Sequence, residues 1–449
     1  MGAAAAAAGT GATLLGNATV HGAEEEVHDA IVIGAGFAGV TAAKELRAKG
    51  KKKVLILEAR DRIGGRTWTS TFAGEKVEMG GTWVHQKQAH IWGEIDRLGI
   101  PLITDEGPTK AIFPTEGGGY AEVDMVEGFT RQTKLLEKVL EGSRDYFPEP
   151  YDPFKRQDLL ADLDGLSLRD RFDQLRFSPI EEAYLHSTTG AYGGGLARGA
   201  LTQLAHWWAL SDWNMDTFQA INTIRPTIGL PGVLQKLLDE SGARVALNAP
   251  VSSVTDDGTV VRVTAGGRTY RGATAVVAVP TNLWNSIDFK PGLPAEYRRM
   301  ATQTVGVPTT KKVWLHVAGD IGRPLANTAA GELIDGLIPM MKTSSGLIML
   351  AFSVSPDLDV RNKTQIQSAV RKLIPAAEVL EVKGKDWGAD PYAKGGWTFK
   401  RPGQLLGSLR AVRQRQGRIA FATSDISTGW NGYVDGAVES GLHAAGLLV

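Results

Sequence analysis

The segment Ile31-Val-Ile-Gly-Ala-Gly-Phe-Ala-Gly39 decides how the fold begins. An apolar strand leads into Gly34, Gly36 and Gly39, a spacing that permits a tight turn, close approach of the backbone to a pyrophosphate, and close packing of the next helix. The free N–H groups at the start of that helix, at Phe37 and Ala38, stabilise an anion. The segment therefore predicts a dinucleotide-binding site.

Two further segments extend this prediction. Val54-Leu-Ile-Leu-Glu58 predicts a second strand whose final carboxylate, about 20 residues on, accepts hydrogen bonds from a ribose diol. Gly64-Gly-Arg-Thr67 places Arg66 where its guanidinium reaches a pyrophosphate. A glycine pattern alone is weak evidence for nucleotide binding, because glycines also mark ordinary turns. Its position between a strand and the helix Thr41–Arg47 favours nucleotide binding, with NAD and FAD both open at this point.

Composition excludes several classes of function. The 449 residues suggest about two or three domains. Lys plus Arg (49) equals Asp plus Glu (49), so no basic excess favours nucleic acid as a partner. The absence of cysteine excludes disulfides, thiolate metal sites and a flavin attached through cysteine. None of the eight histidines forms an H-E-x-x-H pattern, so we predict no metal.

The first 26 residues are predicted to lie outside the fold, which should begin near Val27. Their apolar run resembles the core of a secretory signal, but no Lys or Arg precedes it. It is also too short and too polar to span a membrane. Two interpretations stay open: a flexible tail on a cytoplasmic protein, or the remnant of an export signal without its basic start, which would imply the periplasm.

The rest of the chain alternates between helical and strand patterns. Residues 127–215 show 3.6-residue apolar spacing and predict helices. Strands are predicted at Arg244–Leu247, Val251–Thr255, Val260–Val263, Ala275–Val279, Lys312–Val317, Leu347–Phe352 and Arg418–Ala422, and further helices at Ile91–Leu98, Gln365–Leu373 and Val434–Gly441. Strands at both ends and in the middle predict one nucleotide domain assembled from separated segments.

From about Asp29 to His443, the chain resembles the flavin-dependent amine oxidase family, which includes monoamine and polyamine oxidases. The motifs that carry the resemblance are Gly34–Gly39, Leu57-Glu-Ala-Arg60, Ile63-Gly-Gly-Arg-Thr67, Gly80-Gly-Thr-Trp83, Val279-Pro280, Gly395-Gly-Trp397 and Gly429–Gly441. Within the family it is most similar to bacterial enzymes of the nicotine pathway. That similarity rests on His206-Trp-Trp-Ala-Leu-Ser211, Asn214-Met215, Arg401-Pro-Gly-Gln-Leu405 and Ser424-Asp425.

The resemblance implies an α/β fold. It consists of a Rossmann-like FAD-binding domain of the glutathione-reductase/amine-oxidase type with an interleaved α+β substrate-binding domain. We assign residues 27–90, 223–288 and 396–449 to the FAD-binding domain, and residues 91–222 and 289–395 to the substrate-binding domain.

The resemblance also implies FAD, bound non-covalently because Gly396 stands where monoamine oxidases carry the attaching cysteine. Asp425 occupies the place of a usual Glu that faces the cofactor's linker, and Thr423 replaces a common Gly. The implied cofactor-binding residues are Gly34, Gly36, Phe37, Ala38, Gly39, Glu58, Ala59, Arg60, Gly65, Arg66, Gly80, Gly81, Thr82, Trp83, Val251, Trp387, Asp425 and Val434.

Three residues match the family's reaction centre. Lys312 corresponds to the lysine that reaches flavin N5 through a water, and strand alternation predicts that only one of Lys311 and Lys312 faces the flavin. Trp397 and Tyr433 correspond to the aromatic walls around the substrate amine, whose faces exclude water and disfavour the protonated amine. Tyr192, Trp207, Trp208 and Trp213 are predicted to line the substrate pocket.

The implied reaction is oxidation of an amine C–N bond by hydride transfer to flavin N5, which gives an imine that water hydrolyses. The first-choice substrate is a nicotine-pathway secondary amine such as pseudooxynicotine, with dioxygen or a redox protein as electron acceptor and a homodimer as a further expectation. Alternatives are nicotine itself or another mono- or polyamine, an L-amino acid, and a non-catalytic flavoprotein scaffold. Thr82-Trp83 stands where amino-acid oxidases often have Met-Arg, which favours simple amines.

Overall fold

The structure is a computed structural model that describes residues 26–449. The predicted tail or export-signal remnant, residues 1–26, lies outside the described residues except for Glu26. Within the described part of the chain, none of the helices combines the length and apolar character that crossing a bilayer requires.

The strands are β1 (Val27–His28), β2 (Ala30–Ile33), β3 (Val54–Leu57), β4 (Thr69–Phe72), β5 (Glu75–Glu78), β6 (Leu102–Thr104), β7 (Lys110–Pro114), β8 (Tyr120–Val123), β9 (Ile224–Pro226), β10 (Arg244–Ala246), β11 (Val251–Asp256), β12 (Val261–Ala265), β13 (Arg268–Gly272), β14 (Ala275–Val277), β15 (Asp288–Lys290), β16 (Lys311–Ala318), β17 (Pro324–Asn327), β18 (Gly336–Lys342), β19 (Gly346–Ser353), β20 (Val379–Asp386) and β21 (Ile419–Phe421).

The α-helices are α1 (Phe37–Ala48), α2 (Ala89–Arg97), α3 (Met125–Val139), α4 (Ser143–Tyr146), α5 (Gln157–Leu163), α6 (Leu168–Leu175), α7 (Pro179–Leu185), α8 (Gly190–Gly193), α9 (Leu201–Leu210), α10 (Met215–Ala220), α11 (Gly229–Ser241), α12 (Ala295–Gln303), α13 (Lys363–Leu373), α14 (Arg410–Val412) and α15 (Val434–Gly446). Short 3₁₀-helices occur at His186–Thr188, Thr281–Ser286 and Ser424–Ile426, and a π-helical turn at Leu405–Leu409.

A parallel five-stranded sheet, in the order β10-β3-β2-β14-β21, forms the centre of the nucleotide fold. The strands β2 and β3 are fully buried, as expected of strands covered on both faces. All five strands come from the three segments that the sequence assigns to the FAD-binding domain. The α/β fold class is confirmed, and we retain the domain boundaries as a proposal, with β15 crossing the boundary predicted at residue 288.

Two helices begin at the same edge of this sheet. The helix α1 packs against α15, and Gly441 permits the close approach because a Cβ there would lie 2.5 Å from Ala38 O. The fully buried Asp435 of α15 accepts hydrogen bonds from the backbone N–H of His90 (2.7 Å) and of Ile91 (2.9 Å) and thereby caps α2. These contacts fix the middle of α15 against the start of α1, and the N-terminus of α15 against that of α2.

A seven-stranded sheet, in the order β20-β16-β19-β18-β17-β7-β8, forms the other half of the molecule. Its strands all come from the segments assigned to the substrate-binding domain. The register places Lys312 opposite Phe352, Phe352 opposite Gly336, and Gly336 opposite Asn327. These four residues form a row across β16, β19, β18 and β17, which we call the cross-strand row.

The predicted elements correspond closely to the observed ones. The hairpin predicted at Asp257-Gly258 joins the antiparallel strands β11 and β12, and Asp257 Oδ1 accepts hydrogen bonds from Thr259 N and Val260 N within the turn. The predicted helical region forms α3 to α9 and packs through one apolar cluster that includes Leu135, Leu136 and Trp207.

Candidate active site

One long cavity of about 980 Å³ runs between the two halves of the molecule. Its walls include the start of α1, the segment Gly80–Trp83, the start of α15 and the face of the seven-stranded sheet that carries Lys312. This volume lies at the upper end of the range for small-molecule sites. The cavity is therefore large enough for an extended ligand together with a second, smaller molecule.

The glycine turn forms one end of the cavity. Gly34 has a φ of +106°, and a Cβ there would lie 2.8 Å from Ala278 O, so both the conformation and the packing require glycine. A Cβ on Gly39 would lie 2.0 Å from Gly34 O. Gly34, Gly36, Phe37 and Ala38 line the cavity, whereas Gly39 lies behind the turn and serves helix packing.

Glu58 stabilises this turn from the end of β3. Its Oε2 accepts a hydrogen bond from Ala35 N at 2.8 Å and its Oε1 from Arg60 N at 2.9 Å. The carboxylate is buried yet lines the cavity. Because a carboxylate has further acceptor positions, Glu58 retains capacity for the ribose hydroxyls that the sequence predicts.

Arg66 is held by the C-terminal segment. Its guanidinium donates to Gly396 O at 2.9 Å and to Ser424 Oγ at 3.0 Å, and lies 2.8 Å from Asp425 Oδ1. Asp425 is completely buried and also accepts hydrogen bonds from Thr281 N and Thr398 Oγ1. Burial raises the pKa of Asp425, but Arg66 and these donors outweigh it and hold the pKa below its usual range.

Asp425 does not itself line the cavity. The resemblance implies a residue that faces the cofactor, whereas here the shorter Asp side chain binds Arg66, which does line the cavity. Its influence on a bound ligand would therefore pass through the guanidinium.

Lys312 projects into the cavity from β16. Its Nζ donates to Gly80 O at 2.7 Å and to Thr82 Oγ1, and the rings of Trp83 and Phe352 lie 5.5 Å and 5.6 Å from it. Burial lowers the pKa of Lys312 to about 7, against the opposing charge of Glu78. An amine with this pKa accepts or releases a proton near neutral pH.

Lys311 points away from the cavity, where its Nζ donates to Ser355 O and Pro356 O. Strand alternation thus selects Lys312 as the lysine on the cavity side.

Four aromatic rings form a connected wall beyond Lys312. Trp207 packs edge-on against Tyr192 and Tyr433, with ring centroids 5.6 Å and 5.3 Å away, and Tyr192 packs against Trp397 at 6.0 Å. Trp397 Nε1 donates to Tyr192 O at 2.8 Å. Because this indole N–H is bound within the protein, Trp397 offers its apolar ring, which suits the apolar part of an amine.

The structure brings most of the predicted site residues to this cavity. Those that line it are Gly34, Gly36, Phe37, Ala38, Glu58, Ala59, Arg60, Gly65, Arg66, Gly80, Gly81, Thr82, Trp83, Tyr192, Trp207, Val251, Lys312, Trp387, Trp397, Tyr433 and Val434.

Two of the predicted pocket tryptophans lie elsewhere. Trp208 does not line the cavity and packs on Phe218, with ring centroids 5.8 Å apart. Trp213 lies under the guanidinium of Arg144 at 4.6 Å. Both contribute to packing instead of to the cavity wall. Trp208 is turned by about 100° from Trp207 around α9, and Trp213 lies beyond the end of that helix at Leu210.

The sequence did not point to a polar group at the far end of the cavity. Ser187, Asn327, Asp335 and Gly336 line this end. No motif marks them, because they meet only through the pairing of β17 with β18 and through the contacts of Asn327 and Asp335 with the turn His186–Thr188.

Exchange of Trp207 and of Trp208 distinguishes these positions. Trp207→Phe loses aromatic contacts worth about 0.5–1.5 kcal/mol with the wall, and we expect about a 3- to 10-fold rise in KM for the amine. Trp208→Phe should lower the free energy of unfolding by about 1–3 kcal/mol and leave KM within twofold. Steady-state kinetics and urea denaturation measure both, and a larger KM change for Trp208→Phe would contradict the assignment.

The cavity's cofactor end fits a dinucleotide. Gly36 and Gly65 face each other, since a Cβ on Gly65 would lie 3.5 Å from Gly36 Cα, and side chains there would close the passage. The first N–H groups of α1 have no partners within the helix, and two helix N-termini, at Phe37 and Val434, border the same space. These features fit the pyrophosphate of FAD.

The parallel sheet, its glycine turn and the cavity beside it define the class of protein, a dinucleotide-binding protein. Comparison with protein families identifies the group: the model of the flavin containing amine oxidoreductases matches residues 37–449. The chain belongs to this family and uses FAD. Because the sequence has no cysteine, the flavin cannot be attached through one.

Relatives and solved structures agree with this assignment. The chain is 33% identical to pseudooxynicotine dehydrogenase from Pseudomonas sp, over 98% of this chain and 91% of that protein. It is 32% identical to nicotine dehydrogenase from Pseudomonas putida, over 93% and 87%. Cyclohexylamine oxidase from Brevibacterium oxydans has the same fold, with a TM-score of 0.78, 22% identity, and 94% and 99% coverage.

Proposed function

We propose that this protein oxidises the C–N bond of a nicotine-pathway secondary amine, with pseudooxynicotine as the first candidate. The observation that carries the proposal is that Lys312, with a pKa near 7, donates to Gly80 O and Thr82 Oγ1 and lines the same cavity as the aromatic wall. The two relatives described above, whose names refer to pseudooxynicotine and nicotine, support the substrate class.

The chain's residues have separate tasks in this reaction. FAD, when bound, supplies the two-electron acceptor. Trp397 and Tyr433 exclude water from the amine, which favours its uncharged form and orients its α-carbon. Lys312 Nζ holds or releases a proton beside Thr82 Oγ1. Oxidation yields an imine, which water hydrolyses to a carbonyl compound and a free amine.

Charge in the cavity favours amines over amino acids. Two stretches of the chain, residues 105–223 and 325–340, contribute residues to the cavity wall. Their lining residues include the carboxylates of Asp105, Glu106, Asp216 and Asp335 but no Lys or Arg. Where these residues line the cavity, an amino acid's carboxylate would meet no Lys or Arg among them. It would meet carboxylates of its own sign, two of which, Asp105 and Glu106, pair with arginines. We therefore rank oxidation of an L-amino acid below oxidation of nicotine or another amine.

An anaerobic assay tests the proposal directly. The purified holoenzyme is mixed with pseudooxynicotine, nicotine, a polyamine, an arylalkylamine and an L-amino acid, and flavin absorbance is followed. We expect pseudooxynicotine to bleach the flavin fastest. A yellow protein that no amine bleaches would support the scaffold alternative, and fastest bleaching by the amino acid would overturn the substrate class. Repeating the assay with oxygen or an oxidised redox protein identifies the acceptor.

A further inference from the structure

Asn327 lies at the end of the cavity farthest along the sheet from Lys312. It is 6% exposed, and its Oδ1 accepts a hydrogen bond from Ser187 Oγ. Its Nδ2 is buried and has no hydrogen-bond partner among residues 26–449, although Asn327 lines the cavity. A buried donor without an acceptor costs free energy, so this N–H is a position where a ligand acceptor would bind favourably.

The cross-strand row sets the distance between the two ends. Lys312, Phe352, Gly336 and Asn327 are opposed residues on four neighbouring strands, and all four line the cavity. Neighbouring strands lie about 4.8 Å apart, so three spacings separate the Cα atoms of Lys312 and Asn327 by about 14 Å. This distance sets the length that a substrate needs in order to reach from the reaction centre to the unpaired amide.

Gly336 keeps this path open. Its φ lies outside the left-handed region, and a Cβ there would meet only Ala326 O, at 3.6 Å. The backbone thus does not demand glycine at this position. What glycine provides is free space between Phe352 and Asn327.

The neighbouring carboxylate is already engaged. Asp335 Oδ1 lies 2.8 Å from His186 Nε2, and Oδ2 accepts a hydrogen bond from Val354 N at 2.6 Å. Both oxygens of Asp335 therefore already have partners within the protein, whereas Asn327 Nδ2 has none among the described residues. A distal ammonium would be repelled by an N–H donor, whereas an uncharged acceptor would pair with it.

We propose that Asn327 Nδ2 and the open position at Gly336 form a distal subsite for an uncharged hydrogen-bond acceptor, a ring nitrogen or a ketone oxygen remote from the reacting amine. This inference rests on the proposed amine oxidation and narrows its substrate class. Asn327 selects substrates that carry the distal acceptor, and Gly336 determines the length of substrate that fits.

Paired amines test the subsite. N-methyl-4-phenylbutylamine carries no distal acceptor, its 3-pyridyl analogue carries only the ring nitrogen, its 4-oxo analogue carries only the ketone, and pseudooxynicotine carries both. Dissociation constants of the holoenzyme come from tryptophan fluorescence, and limiting rates of flavin reduction are measured separately. In the unsubstituted protein, the amine with the matching acceptor should bind about 3- to 10-fold more tightly than the phenyl compound.

Two substitutions isolate the N–H group. Asn327→Leu should remove this preference while the limiting reduction rate and FAD content remain unchanged. Asn327→Asp keeps the shape but lacks the N–H group, so it should lose the preference equally. The proposal would be overturned if Asn327→Asp still bound the amine with the matching acceptor more tightly than the phenyl compound. It would also be overturned if the substitutions weakened the binding of all four amines equally. Gly336→Val should weaken the binding of these four-carbon arylamines more than the binding of N-methylbutylamine. An equal effect on both dissociation constants would contradict the role of Gly336.

The measurements separate the two hypotheses. Reduction of the flavin without any effect of Asn327 on binding would reject the subsite and leave amine oxidation standing. A binding preference that depends on Asn327, in a protein whose flavin no amine reduces, would reject the proposed function and retain the subsite.

Discussion

Lys312→Met is expected to slow the half-reaction that uses this lysine, flavin reduction or reoxidation, by about 100-fold, while the protein keeps its FAD. Methionine is similar in length but can neither donate to Gly80 O and Thr82 Oγ1 nor carry a proton. Stopped-flow measurement of the two half-reactions assigns the loss to reduction or reoxidation.

Lys311→Met is the matched control, because Lys311 is adjacent but donates to Ser355 O and Pro356 O outside the cavity. Its effect on both half-reactions should stay within about threefold. Unchanged rates in Lys312→Met, or a comparable loss in both variants, would contradict the role of Lys312.

The pH dependence gives a second readout for the same variant. Since the pKa of Lys312 is about 7, the rate of the step that depends on its protonation should change around pH 7, and that change should be absent in Lys312→Met. Above pH 7 the folded protein keeps this amine neutral, while the unfolded chain stays protonated to about pH 10.4. The unfolded state thus binds more protons, so this group makes the free energy of unfolding rise with pH over that interval. Urea denaturation at several pH values should show a flatter dependence for the variant.

Asp425→Ala is expected to lower the free energy of unfolding by about 3–5 kcal/mol and to release FAD. The substitution leaves Arg66 without its buried counter-charge and leaves Thr281 N and Thr398 Oγ1 without their acceptor. Denaturation with urea measures the first effect, and flavin content after gel filtration measures the second.

Ser424→Ala is the control for this prediction, because it removes a single hydrogen bond to the same guanidinium. It should cost about 0.5–1.5 kcal/mol and retain FAD. If Asp425→Ala behaved no differently from Ser424→Ala, the carboxylate would not be what holds Arg66.

The sequence predicted the nucleotide half of the protein in detail, because its determinants are local. The turn at Gly34 and the helix that follows it are set by backbone conformation within a few residues. Lys312 was assigned by the family resemblance; strand alternation predicted only that one of the two adjacent lysines faces the cavity, and the structure shows which one.

Local sequence patterns could not predict how segments far apart in the chain pack against each other. Trp207 and Trp208 have equal apolar character, and only the packing of α9 decides that the first meets Tyr192 and Tyr433 while the second meets Phe218. The family motif placed an acid at Asp425, but the length of its side chain and its complete burial direct it to Arg66.

By itself, then, the sequence determined the dinucleotide-binding turn, because short segments with their own conformational preferences encode it, and its motifs indicated the α/β fold, FAD and the amine oxidase family by resemblance. Tertiary structure alone decided which aromatic rings form the wall and that Asn327 stands across the sheet from Lys312. Strand register and helix packing depend on contacts between residues far apart in the chain, and those contacts leave no periodic pattern near either residue.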